Sequence, residues 1–220
     1  MDLGTRPYPE VWAFQKELLQ KRIQGEVRDT LILVEHPSVI TKGRRSAAGE
    51  ILDSRFPVYE VERGGRVTYH GPGQLVGYPI MSLGIRNRSV KTYLRSLEEV
   101  LIRTLQAYDI VAVRRENASA SASSHEADRL FPAFGRSQNA TGVWVHHKKI
   151  ASIGVAIKKW VSYHGFALNV STDLSAFESI HPCGFESSVM TSMRELCGRS
   201  IPLSEVKEHL LIFFREVFFS

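Results

Sequence analysis

Apolar residues recur along the chain with two different periods, and the points where the period changes mark its elements. After Pro7 and Pro9, the residues Val11, Trp12, Leu18, Leu19 and Ile23 recur at roughly helical spacing until Gly25, which predicts one helix. Thr30-Leu31-Ile32-Leu33-Val34 is a short β-rich run that ends at Glu35-His36-Pro37-Ser38, where proline cannot serve a ladder, so a strand and a turn are predicted. Pro57 to Val61, Val67 to Tyr69 and Leu75 to Ile80 read as three more strands, separated by Arg63-Gly64-Gly65-Arg66 and by Gly71-Pro72-Gly73. From Ser89, a suitable N-cap, Val90, Tyr93, Leu94, Leu97, Val100, Leu101 and Leu105 share one face of the clearest helix. Ile110 to Val113 predicts a strand, and the segment 116–139 that follows, with its alanine and serine core at Ala118 to Ser124, reads as a mobile loop. Thr141 to Val145, Ile150 to Ile157 and Val161 to Val170 predict three consecutive strands, the last with His164-Gly165 in its middle. Pro202 and Ser204 open a closing helix that carries Val206, Leu210, Phe213, Phe214 and Val217 on its apolar face. With no internal repeat or linker, one domain over residues 1–220 is expected.

Composition narrows the classes. Apolar residues make up 43% and charged residues 23% of the 220 residues, which excludes a disordered or fibrous chain. Apolar runs stay far below the roughly 20 residues of a bilayer-spanning helix, and the first residues show neither a basic head nor an apolar stretch. No membrane association and a cytoplasmic location are therefore expected. The two cysteines, Cys183 and Cys197, lie too far apart for a redox or metal-binding knuckle and are expected as free thiols. Lysine and arginine outnumber aspartate and glutamate by 28 to 23, so the surface favours acidic partners such as nucleic acid or an acidic carrier protein, or simply stays soluble.

The densest chemistry lies between Arg63 and Tyr78, where five glycines alternate with Arg63, Arg66, Thr68, Tyr69, His70 and Gln74. A hairpin explains some of those glycines, but not the polar side chains between them. Glycine there lets the backbone approach a ligand closely. The run Arg63-Gly64-Gly65, two residues, Thr68, Tyr69, His70, two residues, Gly73, Gln74 and Tyr78 resembles the signature of the lipoate–protein ligase B family. Four further segments resemble the same family in the expected order: Glu35-His36-Pro37 with Gly43-Arg44-Arg45; Thr141 to Val145 leading to Lys149 to Gly154; His164 to Asn169; and Pro182-Cys183-Gly184 followed by Thr191-Ser192.

The resemblance implies an α/β (α+β) fold with a mixed β-sheet flanked by helices, similar to the catalytic domains of biotin and lipoate protein ligases. It implies an octanoyltransferase that moves an octanoyl group from acyl carrier protein to a lysine of lipoyl domains, through a thioester on Cys183 with Lys149 as its partner. Acceptors would be the lipoyl domains of 2-oxoacid dehydrogenase E2 subunits and the glycine cleavage H protein. No nucleic acid, metal or cofactor is implied. Arg63, Gly64, Gly65, Arg66, Val67, Thr68, Tyr69, His70, Ser152, Ile153, Gly154, Gly165, Phe166 and Ala167 would bind substrate, with Gly64, Gly65, Gly165 and Ala167 as walls of an acyl slot.

The residues suit the task, because a free thiol near pKa 8.5 is only a few per cent thiolate at neutral pH and needs a neighbouring cation or base. His70, His164 and His181 are rival bases for a cysteine, with His70 and His164 expected to line the site. Backbone N–H groups at Gly184 or along Ser152-Ile153-Gly154 are candidate oxyanion donors. An ATP-dependent ligase of the same fold, or a non-catalytic binding module, is the competing reading.

Overall fold

Helices cover both faces of one large sheet. The computed structural model describes residues 1–53, 55–84, 89–115 and 141–219. The predicted loop 116–139 lies outside the described residues. The strands are β1 (Asp2–Thr5), β2 (Thr30–Glu35), β3 (Val39–Lys42), β4 (Val58–Glu60), β5 (Thr68–His70), β6 (Gln74–Ile80), β7 (Val113–Arg114), β8 (Gly142–Val145), β9 (Lys148–Lys158) and β10 (Val161–Asn169). The helices are α1 (Tyr8–Gln24), α2 (Val90–Gln106), α3 (Met193–Cys197) and α4 (Leu203–Phe219), and three 3-10 turns lie between Leu174 and Val189. Among the described residues a seven-stranded sheet runs β1-β2-β6-β10-β9-β8-β7, and a three-stranded sheet runs β4-β3-β5. Both are mixed, with β1–β2 and β3–β4 parallel and the other pairs antiparallel.

Strand β2 shows why its sequence is an unbroken apolar run rather than an alternation. Leu31 and Leu33 point into the core shared with α2 and α4, whereas Ile32 and Val34 point into the core shared with α1. On α2 the Ser89 hydroxyl accepts a hydrogen bond from the Thr92 N–H at 3.2 Å, and Tyr93, Leu97, Val100, Leu101 and Leu105 form the buried stripe. Val90, expected on that stripe, is exposed. Helix α1 begins at Tyr8 with proline in its first turn and ends at Gly25, whose left-handed φ of 82° closes it.

A third core joins the small sheet to the large one. Ile40, Val67 and Tyr69 pack there with Trp144 of β8 and with Phe177, Ile180 and Met190 from the 3-10 segment. This cluster holds the Cys183 turn against the end of β9. The strand expected over Ile110 to Val113 is confined to Val113–Arg114, because Ile110 and Ala112 are drawn into the core beneath α2. No helix among the described residues is long and apolar enough to cross a membrane.

Candidate active site

Lys149 and Cys183 are separated by 34 positions, and the fold brings them to 3.5 Å between Nζ and Sγ. Two devices achieve this. The first is a break in the β8–β9 register: Val143 pairs with Ala151 but the next residue, Trp144, pairs with Lys149, leaving Ile150 as the extra residue of a bulge. The break puts Lys149, Ile150 and Ala151 all inside, against the alternation of a regular strand. The second is a tie from the 3-10 segment, in which the Thr191 N–H donates to the Lys149 carbonyl at 3.0 Å.

Lys149 is 1% exposed, and its Nζ lies 5.6 Å from the centre of the Trp144 ring as well as beside the sulfur. Gly142 makes room for it: a Cβ there would stand 2.8 Å from Lys149 Cε, and its φ of 138° is unsuited to other residues. The adjacent Lys148 is half-buried and reaches Glu195 at 3.3 Å, so the two consecutive lysines face different surroundings. Cys183 sits in the turn Pro182–Gly184 with φ of 56°, followed by Gly184 at 81°. A side chain in that left-handed region costs on the order of 1 kcal/mol or more and persists only where neighbours enforce it. Here the Cys183 N–H donates to the Val67 carbonyl at 3.0 Å.

Beside the sulfur lies a cavity whose free space, mouth included, is about 460 Å³. Arg63, Gly65, Arg66, Thr68, His70, Ser152, Ile153, Gly154, Gly165, Phe166, Ala167 and Cys183 line it, as do Tyr8, Tyr78 and His164. Most of the residues expected to bind substrate therefore meet on one surface. Gly64, Val67 and Tyr69 do not reach it. The Gly64 N–H donates to the Val155 carbonyl at 2.8 Å, Val67 supports the cysteine turn, and the Tyr69 hydroxyl is hydrogen-bonded to Ser38 at 2.9 Å. Gly184 is also removed as an oxyanion donor, since its N–H is spent on the His181 carbonyl at 2.9 Å.

Behind the lining runs a buried polar chain. His70 Nδ1 is 2.7 Å from Gln74 Oε1, Gln74 Nε2 donates to Asn169 Oδ1 at 2.9 Å, and Asn169 Nδ2 donates to the Thr191 carbonyl at 3.0 Å. Burial lowers the His70 pKa to about 3, with the neighbouring His36 adding to the effect, and burial lowers His36 and His164 to about 4. These imidazoles are neutral at neutral pH. His181 turns towards Glu186, at 3.9 Å.

Tyr8 is the lining residue that the sequence pattern missed. It opens α1 beside the counted apolar face, and its ring stacks on His70 at 6.2 Å. Its position one residue after Pro7, in the turn that begins a helix, was the available signal.

The comparisons with known proteins fit this geometry. A family model described as the lipoyl protein ligase A/B catalytic domain matches residues 7–215. The chain belongs to that family. An octanoyltransferase of Syntrophotalea carbinolica is 41% identical over 216 residues, covering 98% of this chain and 92% of the relative. Among solved structures, a lipoate-protein ligase A bound with ATP aligns with a TM-score of 0.70 at 16% identity, over 99% of this chain and 83% of that one. The biotin protein ligase of Aquifex aeolicus aligns at 0.53 and 12% identity, over 99% and 67%. The lipoyl ligase family thus shares the mixed sheet and helices found here, as the sequence led us to expect.

Proposed function

We infer that this octanoyltransferase works through a thioester on Cys183, with Lys149 carrying the proton between the two half-reactions. The observation that carries the reading is the contact between the buried Lys149 amine and the Cys183 sulfur, beside a largely apolar cavity. In the first half-reaction the Cys183 thiolate attacks the octanoyl thioester of acyl carrier protein. The new C–S bond forms, the bond to the carrier sulfur breaks, and the departing thiolate takes a proton from the Lys149 ammonium.

In the second half-reaction the ε-amine of a lysine on a lipoyl domain attacks the acyl-enzyme. Lys149, now neutral, accepts the proton from that amine, an amide forms, and Cys183 leaves as thiolate. The pair returns to its starting state with every proton accounted for. We propose the E2 lipoyl domains and the glycine cleavage H protein as acceptors, a cytoplasmic location and a single catalytic domain over residues 1–220. The acyl chain occupies the slot beside Ile153, Gly165, Phe166 and Ala167. At about 0.8 kcal/mol per buried methylene, a chain two carbons shorter loses roughly fifteenfold in affinity.

A thioester is already activated, so transfer needs no nucleotide. An ATP-dependent ligase is the second reading, favoured by the fold shared with a ligase that binds ATP. Incubation of the protein with octanoyl carrier protein and a lipoyl domain, without ATP, is expected to yield the octanoylated domain, and Cys183→Ser is expected to abolish it. Product formed only from free octanoate and ATP would establish the ligase instead.

A further inference from the structure

Charge near the Cys183 turn is unevenly neutralised. The Arg66 guanidinium lies against Gly184 but is ion-paired with the buried Glu50 carboxylate, and His181 faces Glu186. The cavity histidines are neutral. Lys149 and Arg63 are different: among the described residues neither has a carboxylate within ion-pair distance, although they are 1% and 7% exposed. A buried cation without a counter-ion is costly, so an anion formed beside it is strongly favoured.

Arg63 is held in place by neutral oxygens alone. Its Nη1 donates to the carbonyls of Gly64 at 3.1 Å and Arg66 at 2.8 Å, and its Nη2 donates to the Thr41 carbonyl at 2.7 Å and hydroxyl at 2.8 Å. Its Nε–H is buried and has no partner. The fold reserves this space, since a Cβ on Gly43 would stand 2.7 Å from Arg63 Nη1 and one on Gly154 would stand 3.1 Å from Cδ. The cage fixes the guanidinium without cancelling its charge. Arg66, whose carbonyl Arg63 holds, immediately precedes Val67, whose carbonyl holds the Cys183 N–H, and Arg63 and Cys183 line the same cavity.

We propose that Arg63 is the permanent positive charge that keeps the Cys183 sulfur a thiolate, leaving Lys149 free to give and take a proton. The two cations thus divide the work. A guanidinium stays protonated throughout, whereas the ammonium of Lys149 must lose its proton to the departing carrier thiol and regain it from the attacking amine. Cys183 is anionic when it attacks the donor and again as it leaves the acyl-enzyme, and a guanidinium lining the same cavity supports that charge at both moments while the Lys149 proton is in transit. Burial works against the charge on Arg63, and the Cys183 side chain is the foremost influence supporting it. Arg63 acts through the sulfur, as a positioning residue.

The proposal rests on the Cys183 reading above, and its test reads the thiol directly. Iodoacetamide alkylation of Cys183 is followed against pH in wild type, Arg63→Gln and Arg63→Lys, with circular dichroism confirming the fold. Arg63→Gln is expected to slow alkylation about tenfold at neutral pH and to move the midpoint up by about one unit, and Arg63→Lys to restore most of the rate. A folded Arg63→Gln with the wild-type profile, or an Arg63→Lys as slow as the glutamine variant, overturns the proposal. If Arg63→Gln does not fold, Lys149→Ala decides: a midpoint still below the free-thiol value of about 8.5 supports Arg63, and one at or above it overturns the proposal. A thiol that titrates high in Lys149→Ala, in a protein whose wild type still takes an octanoyl group on Cys183, refutes the role of Arg63 alone. A low-titrating thiol that never takes the acyl group refutes the reading of Cys183 alone.

Discussion

His36, His70 and His164 bring three imidazoles to the neighbourhood of the cavity, and burial decides what they can do. With pKa values lowered to about 4, 3 and 4, none of the three supplies positive charge to the thiol at neutral pH. The same burial has a consequence for stability. Unfolded histidines take up a proton near pH 6.5, but the folded ones do so only near pH 3 to 4, so between these values the unfolded chain binds more protons and stability falls as pH falls. The expected slope is about 1.4 kcal/mol per pH unit for each histidine. Urea midpoints taken from pH 6.5 to pH 5, where carboxylates still contribute little, should drop steadily. A flat profile over that window would show that the imidazoles are not held neutral.

At the scale of elements, the site depends on how β8 meets β9. Gly142 opens β8 where the Lys149 side chain crosses it, so Gly142→Ala is expected to displace the amine from the sulfur. Transfer should fall on the order of a hundredfold, as for other displacements of about 1 Å, with a stability loss of about 1–3 kcal/mol. Wild-type turnover in that variant would mean that the Lys149 position is set elsewhere. This element was legible in outline only. The apolar pattern of Ile150 to Ile157 located β9, but a bulge is invisible to a period-two reading, and only the family resemblance distinguished Lys149 from Lys148. Strands β1 and β3 escaped notice because neither shows a period of its own: β1 has Leu3 as its one apolar residue, and β3 runs on directly from the Pro37 turn. The 3-10 turns from Leu174 to Val189 were unread for the same reason, although Pro182 and Gly184 did place Cys183 in a turn.

At the scale of the whole molecule, the two faces of the large sheet are given to helices, and the third core, between the small sheet and the 3-10 segment, builds the site. The chain order of the motifs was visible in the sequence, but their convergence was not. Residues 63–78, 149–154, 164–169 and 182–184 come together through the β6–β10–β9 pairing and the tie from Thr191 to Lys149. Everything proposed for the reaction then turns on one covalent intermediate. Mass spectrometry of the protein mixed with octanoyl carrier protein, without acceptor, reads it directly. The account predicts one added octanoyl group, mapped to Cys183 and lost when a lipoyl domain is supplied. Octanoylation of the lipoyl domain at full rate, with Cys183 never carrying the acyl group, would contradict it.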